Sequence, residues 1–180
     1  MKNFAKIFAF MLVLALAFTM FAACNKKDDT KKSDDTEAEK VEEQIKGEEQ
    51  TWGNITVFVP EGYKLNTKNL FGEEDPDEVS LTSESDEYFD YFKVTANMDE
   101  NNVTSSLDTT RDINEGCTDI EFTAGGKTWT GVTYNSSGYD VVSAYAPFGD
   151  SYVLVMTASH TSDDPTFLAV IESLQITAAE

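Results

Sequence analysis

Little in this chain suits chemistry that needs thiols, imidazoles or positive charge. Two cysteines and one histidine occur in 180 residues, and Arg111 is the one arginine. Two cysteines exclude a scaffold stapled by several disulfides. One histidine beside so few thiols leaves zinc without a ligand set. Beyond residue 50 the cations are Lys64, Lys68, Lys93, Arg111 and Lys127, set against 23 Asp and Glu for a net charge of −18. That field repels phosphate backbones and excludes nucleic acid as a partner. Gly125-Gly126 reads as a hairpin turn, with no helix after it to cradle a phosphate. No internal repeat is present.

Long apolar stretches are confined to the N-terminus. Lys2 and Lys6 precede an apolar run from Ile7 to Phe21, and Ala22-Ala23 then offer the narrow side chains that a signal peptidase needs. The 17 residues from Ile7 to Ala23 sit at the lower edge of what crosses roughly 30 Å of hydrocarbon. A retained helix and a plain secretory signal are therefore the competing readings. Cys24 separates them. Phe21-Ala22-Ala23-Cys24 resembles the lipobox of bacterial lipoproteins, with Phe21 where leucine is usual. The resemblance implies that residues 1–23 are a signal peptide and that Cys24 carries a diacylglyceryl group of palmitate-like chains. It also implies a chain held on the extracytoplasmic face of the bacterial cell membrane. Two acyl chains, at about 0.8 kcal/mol per buried CH2, suffice for stable anchoring. With Cys24 lipidated, Cys117 has no thiol partner.

Residues 24–50 alternate short blocks of lysine and acid, with Val41 and Ile45 as the only large apolar side chains. Such a segment buries too little to offset its ordering entropy. It is expected to be a flexible charged linker behind the lipid anchor. Residues 51–180 are then expected to form a single α+β domain, long enough to bury a core without a disulfide.

Within that domain, alternation marks strands and a change of period marks helices. Asn54 to Val59 alternates Ile55, Val57 and Val59 before Pro60 and Gly62 turn the chain. Val79 to Thr82 and Tyr88 to Met98 follow, with Phe92, Val94, Ala96 and Met98 assigned to one face. Val103, Leu107, Thr110 and Asn114 fall on a helical stripe ending near Gly116. Four further strand segments run from Ile120 to Ser159, turning at Gly125-Gly126, Ser136 to Gly138 and Pro147 to Asp150. Asp164 before Pro165 is an N-cap with the favoured first-turn proline. Phe167, Val170, Ile171 and Leu174 then make an apolar helical stripe. The sum predicts an antiparallel meander with two helices.

The opening Ile55-Thr56-Val57-Phe58-Val59-Pro60-Glu61-Gly62-Tyr63 and the closing stretch from Asp164 to Ile176 resemble the two ends of PsbP-like domains. That resemblance implies a sandwich of helices around an antiparallel sheet, and binding or assembly in place of catalysis. It carries over no catalytic residue.

Three constellations bear on chemistry. Cys117, His160 and Arg111 are the residue types of a thiol nucleophile, its base and an oxyanion donor, as in sortase-type transpeptidases. The residue order and the motif before the cysteine are absent, and each residue has an ordinary structural reading. Acidic stretches hold Asp75 and Asp77, then Asp99 and Asn101, as weak calcium ligands. Neither run continues with the glycine and distal bidentate glutamate of a calcium loop. Aromatics cluster at Tyr88, Phe89, Tyr91 and Phe92, and recur at Trp129, Tyr134, Tyr139 and Tyr145. Those on an exposed sheet face suit stacking on a sugar or peptide, and the others fill the core.

The reading is therefore a surface-tethered, non-enzymatic binding or assembly module of the cell envelope. Its expected partners are the membrane, through Cys24, and an envelope protein or glycan. No cofactor is expected. The alternatives are a calcium-dependent binding protein and an envelope enzyme using Cys117 and His160.

Overall fold

The computed structural model describes residues 45–69 and 72–178. The expected leader, Cys24 and most of the expected linker lie outside the described residues. The linker boundary needs a correction at its end, because Gly47–Trp52 forms β1. It pairs antiparallel with β2 (Ile55–Pro60), in register from Gly47 opposite Pro60 to Trp52 opposite Ile55. β1 has no apolar alternation of its own. Backbone pairing to a strand that does alternate holds it, and the Trp52 indole N–H donates to the Asp75 carbonyl at 3.0 Å. The turn between the two strands needs Gly53, whose φ is +52° and whose missing Cβ makes room for Pro76.

The chain then changes sheets. Beyond Gly62, β3 (Tyr63–Asn66), β4 (Glu78–Ser83) and β5 (Tyr91–Met98) pair in sequence. Helix α1 (Glu100–Ile113) carries the chain across the sheet to its far edge. There β6 (Thr118–Ala124), β7 (Lys127–Ser136), β8 (Tyr139–Phe148) and β9 (Ser151–Ala158) meander back until β9 lies against β5. The resulting seven-stranded antiparallel sheet has the order β3-β4-β5-β9-β8-β7-β6. Helix α2 (Pro165–Glu172) and the short β10 (Gln175–Ile176) finish the fold. β10 pairs with the other side of β2, making a second sheet ordered β1-β2-β10. The domain is α+β, with two helices and antiparallel sheets among the described residues.

Each face of the large sheet has its own cover. On the inner face Val79, Val94, Val155 and Ala144 stand in one cross-strand row, all buried. The row continues at Gly131, where a Cβ would stand 2.6 Å from the Ala144 Cβ and collide with the Ser143 carbonyl. Ile55, Val57 and Val59 of β2 and Phe167, Val170 and Ile171 of α2 close this core. Burial of each such side chain contributes about 1.5–3 kcal/mol relative to exposure. The α2 stripe and its Asp164 cap are as the sequence predicts, with Asp164 Oδ1 accepting from the Thr166 and Phe167 amides at 2.8 and 3.1 Å. On the outer face α1 seats Val103 and Leu107 over β7, β8 and β9.

Three local expectations are corrected. The strand expected from Tyr88 begins only at Tyr91, because Asp86 to Asp90 close a turn in which the Asp90 amide donates to the Asp86 carbonyl at 3.0 Å. Met98 does not share a face with Ala96, because the register slips between Thr95 and Met98 and Asn97 takes a φ of +52°. An inserted bulge residue reverses every later side chain, so Met98 pairs with Tyr152 on the α1 side. Pro147 and Phe148 belong to β8, and Gly149-Asp150 alone make the turn. Pairing with β7 has already ended at Tyr145, so the proline removes no donor from that ladder.

Candidate ligand-binding site

Two polar constellations stand out from this frame, one buried and one open. The buried one gathers around His160, just beyond β9 and 8% exposed. Its ring stacks on Phe92 with centroids 4.5 Å apart. Tyr63, at the start of β3, donates its hydroxyl proton to Asp90 Oδ1 at 2.5 Å. His160 Nε2 lies 3.0 Å from the same oxygen and 3.0 Å from the Tyr63 hydroxyl. Because the phenol spends its single proton on Asp90, the network assigns a proton to Nε2, shared between two acceptors. Nδ1 lies 3.2 Å from Asp164 Oδ1, inside ion-pair range but misaligned for a hydrogen bond. Burial, and then the Asp90 carboxylate, push the Tyr63 phenol well above its ordinary range. The cluster ties the β2–β3 crossing, the entry to β5 and the cap of α2 into one knot.

The suggested partners of His160 are not in this knot. Cys117 lies between α1 and β6, half-buried, with its thiol toward the carbonyls of Thr110 at 3.8 Å and Asn114 at 3.5 Å. β9 and β6 are separated by β8 and β7, and three inter-strand steps amount to about 14 Å. Arg111 is engaged as well, its guanidinium bridging Asp108 and Asp119 at 2.8 Å each. Asp119 is the leading cause of an upward shift of the Arg111 pKa. Arg111 and Cys117 line one open pocket at the end of α1, and His160 stands apart from both.

The acidic candidates also have structural partners. Asp77 Oδ1 accepts from the Asn54 and Asn97 side-chain amides at 2.8 and 2.5 Å, which locks the bulge in β5 to the start of β2. Asp75 Oδ1 accepts from the Asp77 amide. Asp99 caps α1, accepting from the Asn102 amide at 2.8 Å, and Asn101 follows within that first turn. Among the described residues no three His, Cys, Asp or Glu side chains are placed to hold a metal ion together.

The open constellation is a groove of about 650 Å3 on the outer face, on the side of the sheet that α1 leaves uncovered. Alternation builds its floor. Asn66, Ser80, Lys93 and Met156 form one cross-strand row running from β3 to β9, and Thr82 pairs with Tyr91 beside it. Asn66 donates to the Thr82 hydroxyl at 2.7 Å. Lys93 Nζ holds Glu78 Oε2 at 3.0 Å, with both side chains partly shielded. Tyr88 stands at the rim, 77% exposed. Burial raises the pKa of Tyr91. The aromatic cluster thus divides: Phe92 enters the core, Phe89 stacks on Tyr139 at 4.6 Å, and Tyr88 and Tyr91 serve the groove. Of the later aromatics, Trp129 is fully buried and donates its indole N–H to the Ala124 carbonyl.

Sequence reasoning missed Tyr63 and Lys93 as site residues, and it weighed Glu78 and Asp90 only as members of acidic runs that could bind calcium. The polar alternates of β4 and β5 were the available signal for the groove, since on a sheet covered by one short helix such residues line whatever is left open. Comparison with known proteins finds no matching family model and no matching curated protein. No helix among the described residues is long and apolar enough to cross a membrane.

Proposed function

We propose that this chain is a lipid-anchored, non-enzymatic binding module of the bacterial cell envelope, with the outer-face groove as its recognition surface. The observation that carries the reading is the groove itself. Its volume lies in the range of ligand sites, and it combines apolar walls with a few convergent polar groups. The wide separation of Cys117 from His160 favours binding over thiol catalysis. The lipobox resemblance at Phe21 to Cys24 supports the anchor, and the PsbP-like resemblance of the two ends of the domain agrees with a binding or assembly role.

Two measurements test the reading on the full chain. Cys24→Ser is expected to abolish incorporation of labelled palmitate and to move the protein out of the membrane fraction. Isolated envelope fragments are expected to raise the thermal midpoint, since a ligand at about a hundredfold its Kd adds roughly 2.7 kcal/mol. A shift that persists undiminished in Tyr88→Ala and Lys93→Met would remove the groove from the proposal.

A further inference from the structure

Charge narrows what the groove accepts. Beyond residue 50 the chain carries five cations against 23 carboxylates. Two of those five, Lys68 and Lys93, line the groove together with Glu78 and Glu87. The lining is therefore neutral by count on a domain whose remaining surface is strongly acidic. An anionic ligand meets the surrounding field as repulsion, and a cationic one finds stronger sites outside the groove than inside it. A neutral ligand is indifferent to the field and takes only what the walls offer.

The walls offer two things together. Tyr88 presents an exposed phenol ring at the rim, with Tyr91 and Met156 below it as further apolar surface. The floor presents both kinds of hydrogen-bonding group. Lys93 is an acceptor-free donor and Glu78 a donor-free acceptor, held 3.0 Å apart, with the hydroxyls of Ser80 and Thr82 nearby. A sugar ring has this same division, a C–H face that stacks on aromatics and a rim of hydroxyls that both donate and accept. The fixed Lys93–Glu78 pair matches two adjacent hydroxyls, one accepting from the ammonium and one donating to the carboxylate. Resting on the reading of the groove as the recognition surface, we infer that its ligand is an uncharged oligosaccharide.

The test uses the full chain in micelles of a detergent without a sugar headgroup. Calorimetric titration with neutral tetrasaccharides of glucose and of N-acetylglucosamine, in α and β linkages, is expected to give saturable binding to at least one. Tyr88→Ala and Lys93→Met should each weaken it tenfold or more with the thermal midpoint of the free protein held, while Ile113→Ala, on the exposed end of α1, should leave it unchanged. Raising sodium chloride from 50 to 500 mM should alter the affinity less than twofold, because a neutral ligand has no charge for salt to screen. In parallel, a photoreactive benzoyl group at position 88 is used to crosslink the protein in intact cells. No sugar binding together with a peptide crosslinked at position 88 overturns the oligosaccharide and leaves the groove reading standing. Sugar binding untouched by Tyr88→Ala and Lys93→Met overturns the inference, as does binding that collapses with salt. Neither sugar binding nor any crosslink removes both.

Discussion

Phe92 carries His160 flat on its ring, with the centroids 4.5 Å apart and the planes 27° from parallel. One side of that imidazole faces the core and its two nitrogens face carboxylates. Removing the ring therefore opens a cavity and strips a hydrogen-bond partner from Asp90 at once. His160→Ala is expected to lower unfolding stability by about 2–4 kcal/mol, read as a fall in the urea midpoint without a change in its slope. A loss below 0.5 kcal/mol would mean that the knot contributes nothing to the fold.

Tyr63 gives a pH test. Its folded pKa is raised, chiefly by burial and then by Asp90. The unfolded phenol ionises near pH 10, whereas the folded one keeps its proton. The stabilisation is therefore complete below pH 10 and is lost as pH climbs towards the folded value. Urea unfolding between pH 9 and 11 should show stability falling, and Tyr63→Phe should flatten that fall. At pH 7 the same substitution is expected to cost about 1–2 kcal/mol through the lost hydrogen bonds.

Asp77→Ala strands two side-chain amides, those of Asn54 and Asn97. The expected cost is about 1–3 kcal/mol, with amide exchange accelerated at the bulge and at the start of β2. If Asp77 were chiefly a calcium ligand, the variant would instead match the wild type in the presence of a chelator.

Gly131→Ala forces a methyl group against the Ser143 carbonyl and Ala144. Both are fixed by the β7–β8 ladder, so the strands must part. A loss of at least 3 kcal/mol, or failure to fold, is expected, with the thermal midpoint as the readout.

Cys117→Ala removes a half-buried thiol whose contacts are long, 3.5 and 3.8 Å to carbonyl oxygens. Stability should change by less than about 1 kcal/mol, and ligand-induced thermal shifts should be unaltered. A lost shift would return the thiol to the binding chemistry.

Much of the fold was legible in the sequence because alternation and caps are local. β2, the β6–β9 meander and the Asp164-Pro165 start of α2 announced themselves within ten residues. β1 did not, since Gly47-Glu48-Glu49-Gln50 reads as solvated chain until a neighbouring strand supplies its partners. The bulge at Asn97 was hidden for a similar reason, as its partner Asp77 lies twenty residues earlier. The site was less legible than the fold. His160 attracted notice as the sole histidine, but its partners Tyr63, Asp90 and Asp164 come from three separate stretches that only the crossing between sheets brings together. The groove depends on which strands α1 packs over, β7 to β9, and the sequence of the helix does not state that.

The pairing of β1 with β2 has a mechanical consequence. Gly47 faces Pro60 at the open end of this hairpin, while Trp52 and Ile55 stand at its closed end. A pull delivered from the N-terminal side thus loads the hydrogen bonds one after another, as a zip, instead of shearing them all together. The five residues Gly47 to Thr51 released in this way yield on the order of 17 Å of slack before the load reaches Trp52, which is seated against the core and bonded to Asp75. Under such a load β1 is the element that would give first, ahead of the sheet behind it.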